Sequence, residues 1–388
     1  MPLFFKKVIA FFKIAFAYIL LAFVLGLVGF ALSKGIEAST QFRTAHPVMI
    51  YFLVPAGLLS VLVFKLLGAK GSRNDMVLAA KGEGKASFSL APAVFVSTLF
   101  SHITGASVGR EGAALQIGGS LSALVGKLFG LEKKQTALLV GAGMAAMFAA
   151  VFGTPIAAAV FVLELIGLSK STLKRIIPTL FLSFSAFLVC VLLGGKKEDF
   201  HISEMPAVSW QTALKVLVLA AVSGIVGLVF SICVKYGKIL FRRFFVNEYL
   251  RITVGALAIL FLTMLLGTTL YNGAGIGIVE GIFEGETVPS FAFLLKILFT
   301  VLALSSGFQG GEIVPTLFVG ATLGAAAAVV LALPVGFCAA IGMAVLFCAI
   351  TKCPLASIVL AAEIFPLGVI WYIIPAVLIG YLISRKTV

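Results

Sequence analysis

"GREGAALQIG", residues 109–118, sets Arg110 beside Glu111 between glycines, at the head of an alanine- and leucine-rich run. An ionisable side chain in such a setting is costly in hydrocarbon and marks a functional site by default. Whether the setting is hydrocarbon depends on the rest of the chain. Of 388 residues, 61% are hydrophobic and only 11% charged, and the mean hydropathy is +1.18. Soluble domains carry about 25% charged residues. Apolar segments near 14–33, 48–68, 136–163, 176–194, 212–234, 252–267, 289–305, 313–333 and 335–350 approach or exceed the span of a bilayer, which takes roughly 20 residues. Shorter segments broken by Gly and Pro bring the expected number to roughly a dozen or more. The chain therefore reads as an all-α integral membrane protein. It is expected to form a single transmembrane domain over 1–388 with no soluble regulatory domain. The first apolar segment is too long for a cleaved signal peptide.

The net charge of +14 raises nucleic acid as a partner, but the distribution argues against it. Basic residues fall in short clusters between apolar segments: Lys6, Lys7 and Lys13; Lys170, Lys174 and Arg175; Lys235, Lys238, Arg242 and Arg243; Arg385 and Lys386. Such clusters set the orientation of a multi-pass protein against an anionic bilayer. The N-terminal lysines predict a cytoplasmic start, and the expected location is a bacterial-style inner membrane. Five cysteines, Cys190, Cys233, Cys338, Cys348 and Cys353, lie in or beside apolar segments without metal-ligand spacing or a disulfide framework. No metal and no cofactor are expected.

The chain also repeats. "TPIAAAVFVLELIGL" (154–168) resembles "CPLASIVLAAEIFPL" (353–367), pairing Pro155 with Pro354 and Glu164 with Glu363. "REGAALQIGGSL" (110–121) lines up with "EIVPTLFVGATL" (312–323), placing Gly118 opposite Gly320. "SRNDMVLAAKGEG" (72–84) faces "NGAGIGIVEGIFEGE" (272–286) more loosely. The two repeats run from about 14–195 and 210–385. Repeats with short, interrupted helices predict a transporter whose site lies where the repeats meet. At membrane depth, irregular backbone is tolerated only when buried in protein or lining a polar cavity. Helices that open after glycines leave unpaired N–H groups at their positive ends. "GREGAALQIG" and "GFQGGEIVPTLF" (307–318) both open helices this way, which predicts an anion as cargo.

"GREGAALQIGG", "GGEIVPTLFVGATLG" and "KCPLASIVLAAE" resemble three motifs of the CLC family of chloride channels and anion/proton exchangers, and the likeness covers most of the chain. The resemblance implies an inverted-repeat fold of broken, tilted helices and a homodimer with one pore per subunit. It also implies that Glu111 is the gating and proton-coupling residue. As a carboxylate it occupies an anion site; protonated, it leaves.

Several positions depart from the chloride-type pattern. Leu165 follows Glu164 where proton-transferring chloride exchangers carry a second glutamate. Glu312 stands where they have an apolar residue, and "GSRNDM" (71–76) lacks their second Gly and Pro. These three departures resemble the fluoride-exporting branch, as does "LLKILFTVLALSSGFQGGEIVP" (294–315). The anion-binding set so implied is Gly109, Arg110, Gly112, Ser72, Asn74, Met76, Glu312, Ile313 and Val314. Tyr381 is the nearest candidate for the family's last-helix tyrosine, although it falls early by spacing. Fluoride is small and strongly hydrated, so short-range donors must replace its water. A protonated Glu312 and the Asn74 amide could supply them; equally, Glu312 could cap its own helix. The expected activity is fluoride/proton antiport, with chloride exchange or passive anion conduction as alternatives.

One rival comes from another class. "GASVG" (105–109) matches the G-x-S-x-G elbow of serine hydrolases, with His102 nearby. That elbow needs a strand-to-helix turn in an α/β sheet, and the chain shows no alternating strand pattern, so an enzyme is not expected.

Overall fold

The computed structural model describes residues 3–84, 86–168 and 172–385. Lys170 and Lys386 of the basic clusters, and the side chains of Lys6 and Lys7, lie outside the described residues. The elements are α1 (Leu3–Ala45), α2 (Leu53–Leu66), α3 (Arg73–Lys81), α4 (Leu90–Thr104), α5 (Glu111–Leu128), α6 (Lys133–Phe152), α7 (Pro155–Ile166), α8 (Thr172–Leu192), α9 (Trp210–Phe244), α10 (Glu248–Leu266), α11 (Ile276–Phe283), α12 (Ala292–Ser306), α13 (Ile313–Leu331), α14 (Val335–Thr351), α15 (Pro354–Ile364) and α16 (Ile370–Ser384). Among the described residues, eight helical stretches are long and apolar enough to cross a membrane, and five shorter apolar helices accompany them. The protein is an all-helical, multi-span membrane protein.

The order of elements repeats. The run α4 to α8 in the first half is matched helix for helix by α12 to α16 in the second. The breaks recur as well. The stretch 136–163, read from sequence as one span, is two helices, α6 and α7, separated at Gly153 (φ +74°) with Pro155 opening α7. Proline has no N–H to lose in a first turn and fits the helix start, so the chain restarts there. The second half breaks the same way at Lys352 (φ +62°), before Pro354 opens α15. Close helix pairs recur too. A Cβ on Gly118 of α5 would collide with the Gly143 carbonyl of α6, and one on Gly320 of α13 with the Gly342 carbonyl of α14. Without a hydrophobic drive between helices in lipid, such small residues let backbones approach and gain packing.

The chain gathers into two compact units that interleave in sequence. One comprises Met1–Gly35, Phe64–Phe95 and Ala113–Lys197; the other comprises Ile36–Val63, Val96–Gly112 and Glu198–Val388. In the first, α6 packs on α8, α7 and α3. In the second, α13 packs on α14, and α9 on α12, α14 and α16, around Phe230, Ile297, Val319, Leu323 and Leu346. The lead-in to α5, Val96–Gly112, thus belongs to the same unit as the start of α13.

Candidate functional site

Two glycine-rich loops meet in this second unit. Gly109 N–H donates to the Gly311 carbonyl at 2.6 Å, and Gly311 N–H returns the bond to Gly109 at 2.8 Å. The contact is backbone to backbone, so side chains are excluded. A Cβ on Gly112 would lie 2.6 Å from the Gly310 carbonyl, and Gly310 itself holds φ +154° with its Cβ position 2.6 Å from Val108 Cβ. Glycine is the residue that tolerates both the crowding and the positive φ. The "GREG" and "QGGE" signatures are thereby accounted for sterically.

Both loops end in helix starts. At the head of α13, the helix's early hydrogen bond runs from Thr316 N–H to the Glu312 carbonyl, and Pro315 carries no N–H. Val314 N–H therefore has no partner within its own helix. It donates instead to Glu111 Oε2 at 3.3 Å. Glu111 is fully buried at the first position of α5, and its Oε1 has no hydrogen-bond partner among the described residues. A buried carboxylate held by a backbone N–H at a positive helix end sits where a small inorganic anion would be held.

Arg110, the residue before Glu111, has a partner of opposite charge from elsewhere in the chain. Its guanidinium forms an ion pair with Glu198, from the segment joining α8 to α9. The pair found is with a residue that sequence reasoning did not single out. Beside Glu111 lies a cavity of about 450 Å³ whose lining includes Arg43, His102, Arg110, Asn272 and Val314. Behind it, Lys296 of α12 is fully buried. Its ammonium donates to the carbonyls of Tyr271 (3.1 Å) and Gly273 (2.6 Å) and lies 4.9 Å over the Phe318 ring. These bonds pin the loop between α10 and α11. Lys296 was visible in the sequence as a lone lysine in the apolar 289–305 segment, whereas Arg43 and Glu198 carried no such signal.

The predicted site residues divide between the units. Gly109, Arg110, Glu111, Gly112, Glu312, Ile313 and Val314 come together around the joined loops. Ser72, Asn74 and Met76 belong to the first unit. Ser72 caps α3, its hydroxyl accepting from Asp75 N–H and donating to the Asp75 carboxylate at 2.7 Å. Asn74 is exposed, and Met76 is buried, 3.9 Å from the Ser120 hydroxyl. Glu312 precedes α13 without a side-chain capping bond, so the capping alternative of its two readings is not seen. Tyr381 lies near the end of α16, which packs on α9, α14 and α15. Glu164 and Glu363 sit in equivalent last turns of α7 and α15.

The hydrolase elbow is absent. Ser107 shares a hydrogen bond with Thr300 at 2.9 Å, and among the described residues none joins it to His102. The loop is a turn between two helices, α4 and α5. Among the described residues no group of three or more His, Cys, Asp or Glu could hold a metal.

Paired glycine loops and a buried carboxylate at a helix start belong here to a multi-pass, all-helical membrane protein. The chain belongs to the family described as voltage gated chloride channel, which it matches over residues 56–385. It is 32% identical over 366 residues to the "Chloride/fluoride channel protein" of Pseudomonas syringae pv. tomato, covering 91% of this chain and 80% of that one. A solved structure described as a CLC-type fluoride/proton antiporter superposes with a TM-score of 0.92 at 30% identity, covering 100% of this chain and 97% of that one. A slow cyanobacterial Cl⁻/H⁺ antiporter gives a TM-score of 0.85 at 18% identity, with 96% and 94% covered; there the likeness is of fold. The chain is a CLC-fold transporter, not an enzyme.

Proposed function

We propose that the protein exports fluoride in exchange for protons. The observation that carries this reading is the fully buried Glu111 carboxylate on the Val314 N–H. A proton taken up by that carboxylate removes its charge and weakens its hold on the N–H, and an anion takes its place. Anion movement one way and proton movement the other follow from this single competition. The choice of fluoride is supported by the likeness, over its whole length, to a fluoride/proton antiporter. Leu165, Glu312 and the "GSRNDM" stretch favour the same choice.

In this reading Gly109 and Gly112 make room for the seat, and Ile313 and Val314 present its N–H groups. Arg110, held by Glu198, adds positive potential. By the family resemblance, Glu312, Ser72, Asn74 and Met76 are each assigned an anion-binding role, and Tyr381 the last-helix role. The protein works as a homodimer in a bacterial inner membrane. Outward apolar residues on α8, among them Leu173, Ile177, Phe181, Phe184 and Leu188, offer a surface to lipid or to a second copy.

The test is anion efflux from proteoliposomes, with fluoride and chloride compared in the presence and absence of a proton gradient. Fluoride driven uphill by protons supports exchange. Chloride flux equal to fluoride flux overturns the fluoride assignment, and flux indifferent to the proton gradient indicates a channel.

A further inference from the structure

A cavity of about 360 Å³ opens where the end of α3, the end of α5 and the start of α6 meet, all within the first unit. Its charged lining is Lys127 and Lys133, and no Asp or Glu belongs to its wall. Both lysines are exposed near the ends of their helices, and neither pairs with a described residue. The Thr136 hydroxyl in the same wall donates to the Leu131 carbonyl at 3.4 Å, which leaves the ammonium groups as the side-chain donors. Glycine and alanine keep the space open. Gly82 ends α3 at φ +86°, and a Cβ there would meet only Ala137, at 3.7 Å. Glu83 and Glu132 adjoin lining residues in sequence but are not part of the wall.

The surroundings select the anion. Lys13 of α1 reaches the turn between α5 and α6, its Nζ 3.6 Å from where a Cβ on Gly130 would stand. Arg175 of α8 donates to the Ala80 carbonyl at 2.8 Å. With Lys81 and Lys134, they make this end of the unit strongly basic. Lys- and Arg-rich ends of a multi-pass protein face the cytoplasmic leaflet, whose anionic lipids attract them. Apolar side chains stand exposed beside the cavity. Leu128, next to Lys127, is 71% exposed, and Phe12 and Phe16 of α1 are 66% and 58% exposed, with the Phe16 ring 5.9 Å from that of Phe129. A charged head and a hydrocarbon tail are thus both provided for. Free phosphate would leave the apolar surface unused, and a halide would fill a small part of the volume.

We propose that the cavity between α3, α5 and α6 holds the headgroup of an anionic phospholipid, with its phosphate between Lys127 and Lys133 and its acyl chains along Phe12, Phe16 and Leu128. Lysine binds phosphate as a flexible point charge, and basic pockets between membrane helices on the cytoplasmic side suit such headgroups. The bound lipid ties the start of α1 and the start of α6 to the end of α5. The inference stands apart from the anion-transport reading. It uses none of the residues around Glu111, and each holds or falls without the other.

Native mass spectrometry of the purified, delipidated full-length protein tests it, with equimolar dioleoyl phosphatidylglycerol and dioleoyl phosphatidylcholine as competing probes. Both lipids carry the phosphate and the same chains, but only the first is a net anion. Wild type is expected to retain phosphatidylglycerol in preference, as a saturable adduct. Lys127→Gln combined with Lys133→Gln removes both charges and is expected to cut that adduct at least fivefold, with the phosphatidylcholine adduct unchanged. Arg242→Gln combined with Arg243→Gln, at the exposed end of α9 in the second unit, removes the same charge and is expected to leave the adduct intact. Equal retention of the two lipids by wild type overturns the site. An equal loss in the variant of Arg242 and Arg243 also overturns it, since it would mark a general attraction to basic surface. Displacement of the lipid by millimolar sodium glycerol 3-phosphate keeps a phosphate site and overturns the lipid as its occupant. Should the double lysine variant fail to fold, Lys133→Gln alone, expected to lose at least twofold, replaces it.

Discussion

Gly109 and Gly311 exchange both of their backbone hydrogen bonds, at 2.6 and 2.8 Å, although they lie in opposite halves of the chain. The exchange fixes the start of α5 against the start of α13 and brings Glu111 within 3.3 Å of the Val314 N–H. The site depends on an approach that only residues without a Cβ permit.

Gly112→Ala tests that dependence. Its Cβ would lie 2.6 Å from the Gly310 carbonyl and 2.9 Å from Gly311 Cα, and backbone on both sides cannot yield cheaply. Overpacking of this kind costs about 1–3 kcal/mol, so the variant should melt several degrees below wild type and lose transport. Gly277→Ala is the control for folding, since a Cβ there meets nothing within 4 Å. Its melting temperature should match or slightly exceed wild type. Equal melting of Gly112→Ala and wild type would contradict the steric account.

Lys296→Met removes the donor from the Tyr271 and Gly273 carbonyls while keeping most of the side-chain volume. Leaving buried acceptors unpaired costs about 1–3 kcal/mol each, and this is offset in part by no longer burying an ammonium. Net destabilisation in thermal unfolding is expected, together with loosening of the 271–275 loop in amide hydrogen exchange. Unchanged protection of that loop would show that Lys296 does not hold it.

Glu312→Ala separates two roles. A lost cap costs roughly 0.5–2 kcal/mol, but the side chain makes no capping bond, so stability should stay close to wild type. As an anion ligand its loss should lower the fluoride-to-chloride flux ratio in purified protein. An unaltered ratio at normal turnover would remove Glu312 from the transport pathway.

Much of this was legible in the sequence, for identifiable reasons. The repeat was readable because Pro155 and Pro354 restart helices that glycine or a left-handed Lys352 has ended, and such breaks leave residue-level marks. Glu111 was readable because a carboxylate in an apolar run stands out. The 136–163 span was misread because hydropathy is blind to a single Gly-Thr-Pro break inside an otherwise apolar stretch. Glu198 and Arg43 were missed because each lies far in sequence from the site residue it adjoins. Pairing across 88 residues, as for Arg110 and Glu198, is decided by tertiary structure alone. The reciprocal bond between Gly109 and Gly311 was equally out of reach, although both glycines were in view.

The central claim is that one carboxylate, Glu111, makes anion and proton movement a single event. Proton uptake into proteoliposomes driven only by an outward fluoride gradient measures it most directly, with wild type and Glu111→Gln compared. Gln imitates the protonated carboxyl but carries no exchangeable acid. The account predicts proton uptake against its gradient for wild type, and none for Glu111→Gln, in which fluoride leaks passively or not at all. Uphill proton uptake by Glu111→Gln at a rate near wild type would contradict it.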